Sequence, residues 1–133
     1  MRPILATLAG ILSGGVTVSI VESLGHLIWP PPPGTDLSNP EALAAIMDTI
    51  PTAALVAVLV AWIAGAFVGG WVAKKIDVGQ GIRPSLVTGS VLMLFGVATM
   101  IYIPHPIWMW IFGIATPIPA ALFGASLVKR TDT

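Results

Sequence analysis

The polar positions of this chain fall in clumps, and long uncharged stretches run between them. No Asp, Glu, Lys or Arg occurs between Arg2 and Glu22 (19 residues), between Asp48 and Lys74 (25), or between Arg83 and Lys129 (45). A helix needs ~20 apolar residues, at ~1.5 Å rise each, to cross a ~30 Å hydrocarbon core. The last run, as one helix, would reach about 67 Å, so it must fold back. Pro104-His105-Pro106 supplies the turn, because each proline removes a donor and disfavours helix before it. The pattern predicts an all-α integral membrane protein. It has four transmembrane helices in a single domain, at about 4–29, 51–73, 84–103 and 107–128.

The first span begins like a cleavable signal, with Arg2 ahead of an apolar run. No small-x-small site follows, however, and the apolar character continues to Trp29, so it reads as a retained helix. The loop of residues 30–50 is the one sizeable segment outside the spans. Pro30 to Pro33 predict an extended polyproline II strut. Ser38-Asn39-Pro40-Glu41 then reads as a helix start with Ser38 as the cap, opening a short interfacial helix over about 39–49. Asp77 to Pro84 form a short, glycine-rich link, and no internal repeat is evident.

Composition names the solvent. The apolar set is 56% of residues and charged residues only 9%, where ~25% is usual, so the chain cannot cover a water-soluble surface. The expected partner is the lipid bilayer. Six basic and six acidic residues cancel, and nothing points to nucleic acid. The absence of cysteine excludes a disulfide framework, a thiolate metal site and a cysteine nucleophile. Sorted by position, Arg2, Lys74, Lys75, Arg83, Lys129 and Arg130 fall on one side of the four-span arrangement. Asp36, Glu41 and Asp48 fall on the other, with no Lys or Arg. The positive-inside rule then makes both termini cytoplasmic, in a layout that suits a bacterial inner membrane. Eleven of the twelve charges, Asp77 and Asp132 among them, have a routine place in water or at an interface; Glu22 does not.

Small residues form ridges at four-residue spacing: Gly10 and Gly14, then Gly15 and Ser19, in span one, and Ala57, Ala61, Gly65 and Gly69 in span two. In lipid, such ridges hold helices together by close backbone approach, either within the bundle or between subunits of a homo-oligomer. Trp29, Tyr102, Trp108 and Trp110 sit at the outer span ends and Trp71 at the inner, as in an aromatic belt. Trp62 lies mid-span and carries an indole donor into hydrocarbon, which points to helix packing. Pro117 and Pro119 cannot donate to the carbonyls of Gly113 and Ala115, so a kink is expected in span four.

One constellation could carry chemistry. Glu22 and His26, four residues apart, project from one helix face in the outer third of span one. A carboxylate and an imidazole so spaced can supply two ligands to a divalent metal ion, the one cofactor the pair would take. His105, Asp48, water or symmetry-related copies would complete the site. The pair can equally relay protons, orient a polar head group, or hydrogen-bond to itself and fix packing. No serine–histidine–acid set, zinc-protease motif or cofactor fingerprint occurs, so an enzyme is not expected. The sequence leaves two functional classes: a small homo-oligomeric ion-handling membrane protein, or a structural membrane protein in which Glu22 and His26 form a packing hydrogen bond.

Overall fold

A computed structural model describes residues 1–79 and 81–129. Among these residues six α-helices follow one another: α1 (Arg2–Ile28), α2 (Pro40–Ile46), α3 (Thr52–Ile76), α4 (Arg83–Tyr102), α5 (Ile107–Ala115) and α6 (Pro117–Ser126). Among the described residues there is no strand. Helices α1, α3, α4 and the α5–α6 pair are each long and apolar enough to cross a membrane. Arg130 and Asp132, assigned places by their charge, lie outside the described residues.

Prolines start several of these helices, since a missing N–H costs nothing in a first turn. Proline stands at the N1/N2 position of α1, α2, α4 and α6. In the fourth span the same chemistry makes a break. Helix α5 stops at Ala115, Thr116 bends the chain, and α6 restarts at Pro117. The Thr116 hydroxyl donates to Phe112 O at 2.6 Å, a carbonyl that also accepts from Thr116 N–H at 3.0 Å.

Helix α3 is the hub. One of its faces meets α1, which runs antiparallel to it. A Cβ on Gly10 would lie 2.7 Å from Gly69 O, and one on Gly69 would lie 2.7 Å from Gly10 O. A Cβ on Gly14 would meet Gly65 O at 2.8 Å, and Ala61 is fully buried. The ridge of Gly10, Gly14, Ala61, Gly65 and Gly69 thus lies inside the chain's own α1–α3 contact. The other face of α3 meets α6, with Gly70 against the Ala121 backbone and Gly124 against that of Phe67. Ser85 Oγ, at the start of α4, donates to Gly70 O at 2.8 Å.

These close approaches hold the backbones near one another along the α1–α3 and α3–α6 contacts. Bulk collects at the end that carries residues 29–51, here called the loop end. Leu55, Met100 and Met109 form the core there, with Met47, Ile50, Trp62, Trp108 and Trp110 packed on it. Trp108 and Trp110 are therefore partly interior rather than wholly part of a surface belt.

Two polar details depart from expectation. Asn39, not Ser38, caps α2, its side chain accepting from Glu41 N at 3.0 Å. Ser38 is occupied elsewhere: its hydroxyl (2.6 Å) and N–H (3.0 Å) both donate to Asp36 Oδ1. That hydroxyl first, and the N–H second, hold the Asp36 carboxyl below the usual carboxylate range. Helix α2 is also shorter than predicted, because Met47–Thr49 tighten into a 3₁₀ turn. Asp77, expected at the water interface, is 2% exposed, and its Oδ2 has no partner among the described residues. Its N–H still bonds Ala73 O, continuing the hydrogen-bond ladder of α3 by one residue. The link then closes at once, with Lys74 Nζ donating to Gly81 O at 2.7 Å and Val78 O at 3.3 Å.

Candidate functional site

Glu22 sits two turns before the end of α1, about 9 Å along the axis from Ile28. It is half-buried. Trp62 Nε1, from α3, donates to Glu22 Oε1 at 3.1 Å. Each group answers the other's difficulty, because an indole N–H and a carboxylate both lose their water partners in an apolar surround.

The indole is held from the far side. A Cβ on Gly96 of α4 would lie 3.3 Å from the Trp62 ring, and one on Gly113 of α5 would lie 3.2 Å from it. These two glycines hollow the slot in which the ring lies. His105, on the α4–α5 turn, brings its ring centroid to 6.3 Å from that of Trp62, tilted by 50°. Its Nδ1 is 2.6 Å from Ile103 O. A carbonyl can only accept, so Nδ1 carries a proton, and in the neutral ring Nε2 is left as an acceptor.

Glu22, Trp62 and His105 thus form a row across the loop end of the bundle, from α1 through α3 to the α4–α5 turn. His26 lies one turn beyond Glu22 on α1 but is exposed, and no hydrogen bond joins the two. The Glu22 oxygen that bonds faces α3, not the surface of its own helix. Asp48, in the 3₁₀ turn, is also exposed and stands apart from the row. Among the described residues no three His, Asp or Glu side chains gather closely enough to hold a metal ion. A metal at Glu22 or His26 would need water or a second copy of the chain for its remaining ligands.

No protein family, curated protein or solved structure matches this chain. What the site can do follows from its own groups. Glu22 can take up or release a proton, or neutralise a cation, and the indole beside it responds to that change. Gly96 and Gly113 had no signal in the sequence, since neither belongs to a four-residue ridge. Trp62 had one, as a donor at mid-span, but its acceptor 40 residues away depends on how α1 and α3 are set against each other.

Proposed function

We propose that this protein is a small multi-pass membrane protein that handles a cation, with Glu22 as the group that binds it. The observation that carries this reading is the hydrogen bond from Trp62 to Glu22. It keeps a carboxylate in place within the first apolar helix, where an ionisable group is costly and commonly marks an ion path. The bound cation is a proton or a metal ion, with His105 and His26 as the nearest imidazoles on the same end. Four short helices enclose no hydrated path of their own, so a path forms between copies in a homo-oligomer. The collection of Lys74, Lys75, Arg83 and Lys129 at one end supports a cytoplasmic location for both termini, in a bacterial inner membrane. Helix α2, with Leu43 and Ile46 a turn apart, then lies along the outer surface.

The test is a carboxyl titration read by infrared difference spectroscopy on the full chain in lipid, across about pH 4 to 9. A protonated-carboxyl band that titrates, and that vanishes in Glu22→Gln, is the expected result. Zinc, manganese and calcium titrations on the same two proteins separate a metal from a proton. Neither titration nor metal binding at Glu22 would sink the ion reading.

The same hydrogen bond also favours a second reading, in which Glu22 fixes the packing of α1 on α3 and handles no ion. That structural reading predicts a silent carboxyl and a loss of stability in Glu22→Leu.

A further inference from the structure

We propose that Phe67, Trp71 and Lys75 of α3, with Phe123 of α6 and Lys129 beyond it, form a binding site for a phospholipid with a net negative head group. The inference rests on the long helices crossing a membrane and is independent of any cation at Glu22.

The three α3 residues are four apart, so they stand in one stripe about 12 Å long that ends at the helix terminus. Direct contacts join its charged end to its apolar end. Lys75 Nζ lies over the Trp71 ring, 4.7 Å from its centroid. The Phe67 ring lies 5.8 Å from that of Phe123, tilted by 45°. Beneath the rings the two helices touch, since a Cβ on Gly124 of α6 would lie 3.2 Å from Trp71 N. The charge therefore belongs to the apolar surface itself. That surface is open, with Phe123 62% exposed and Lys75 exposed.

Charge decides what covers it. A ring face attracts an ammonium but has no lone pairs for its three donors, so Lys75 still seeks an acceptor from outside. The carboxylate nearest in the chain does not serve, because Asp77 is sealed inside. Lys74 gives its donors to Val78 O and Gly81 O. A second ammonium arrives from α6. Gly113 lies against Trp62 and Gly70 against Ala121, so the α5–α6 pair runs beside α3 in the same direction and carries the exposed Lys129 to the end that holds Lys75.

The fitting occupant joins a negative charge to an acyl chain. Its phosphate meets the ammonium groups at the water boundary, and its chain lies over Trp71, Phe67 and Phe123. A soluble anion leaves the three rings bare, and a zwitterionic head group brings its own cation to the lysines.

The experiment is native mass spectrometry of the full chain in detergent micelles. It measures the Kd of the first phosphatidylglycerol and the first phosphatidylcholine bound, with identical acyl chains. Phosphatidylglycerol should bind at least about fivefold more tightly, the effect of one lysine near a membrane surface. Lys75→Gln should erase that preference. Arg2→Gln, the same charge change at the same end but on α1, across α3 from the site, should leave it in place. Phe123→Ala should weaken phosphatidylglycerol without altering the circular dichroism. Equal binding of the two lipids would overturn the proposal, and so would an equal loss in Arg2→Gln, the mark of diffuse surface charge. Displacement of the lipid by glycerol phosphate would mean a plain anion site, and a Phe123→Ala that changes only the oligomeric mass would mean a second copy seated there; either overturns it. If neither phospholipid is retained, the membrane reading fails as well, whereas the Glu22 titration is read separately from all of these.

Discussion

Alanine placed on two glycines of α1, only five residues apart, should have opposite effects. Gly10 faces α3. A Cβ there would stand 2.7 Å from Gly69 O, also 2.7 Å from Thr88 Oγ1, and 3.0 Å from Ala73 Cβ. Ordinary contact begins near 3.4 Å, so α1 and α3 must part by about 0.7 Å. Two of the three obstructing atoms belong to backbone or to a methyl group on Cα, which cannot rotate away. A gap of ~0.5–1 Å forfeits a quarter to a half of each dispersion contact it opens. In lipid, those contacts hold the pair, because no hydrophobic drive separates helix from acyl chain. The cost of Gly10→Ala should reach about 1–3 kcal/mol, the range for overpacking. Gly15→Ala adds a methyl where nothing stands within 4 Å and replaces a poor helix former by the best one, a gain of up to ~1 kcal/mol. Reversible unfolding of the full chain in mixed micelles, monitored by circular dichroism, measures both. Gly10→Ala within about 0.5 kcal/mol of wild type, or Gly15→Ala as the more damaging change, would refute the assignment of these faces.

A double-mutant cycle between Trp62→Phe and Glu22→Leu should give a coupling of ~0.6–1.7 kcal/mol in the same assay, the range for polar pairs within membranes; additivity would show that the two groups do not bond. Asp77→Leu takes an unpartnered polar group out of a site that is 2% exposed, and should stabilise the chain by about 1–3 kcal/mol; a loss instead would show that the carboxylate anchors the link. The depressed Asp36 carboxyl implies that the turn it makes with Ser38 persists above the ordinary carboxylate pKa and is lost as pH falls through the lowered one. Ser38→Ala should move the Asp36 titration back up toward the ordinary range in carboxyl ¹³C NMR, and an unmoved titration would remove the hydroxyl as the cause.

The number, length and order of the long helices were legible in the sequence, because a long uncharged run allows so few alternatives. A backbone out of water must satisfy its own hydrogen bonds, so an uncharged run of ~20 residues has little choice but helix. The turn at Pro104-His105-Pro106 and the break before Pro117 came from equally local chemistry, a missing N–H and a steric clash. The cap of α2 lies at the margin, since Ser38 and Asn39 are both good caps and a carboxylate two residues back decided between them.

Contacts between helices were beyond the sequence. The spacing of Glu22 and His26 is correct for one helix face, but a hydrogen bond goes to the donor that tertiary packing brings, and the register of α1 on α3 brings Trp62. Whether a small-residue ridge serves the chain itself or another molecule depends on which way each helix is turned, so Gly10 and Gly15 look alike in sequence and differ in surroundings. Asp77 is counted as a surface charge by its neighbours in the chain and becomes buried only when the link folds back. By itself the sequence determined where the long apolar helices begin and end, through rules that act within one helix. Only the tertiary structure decided what Glu22 bonds to and which face of α1 is left open, because both are set by the rotation and depth of whole helices against one another.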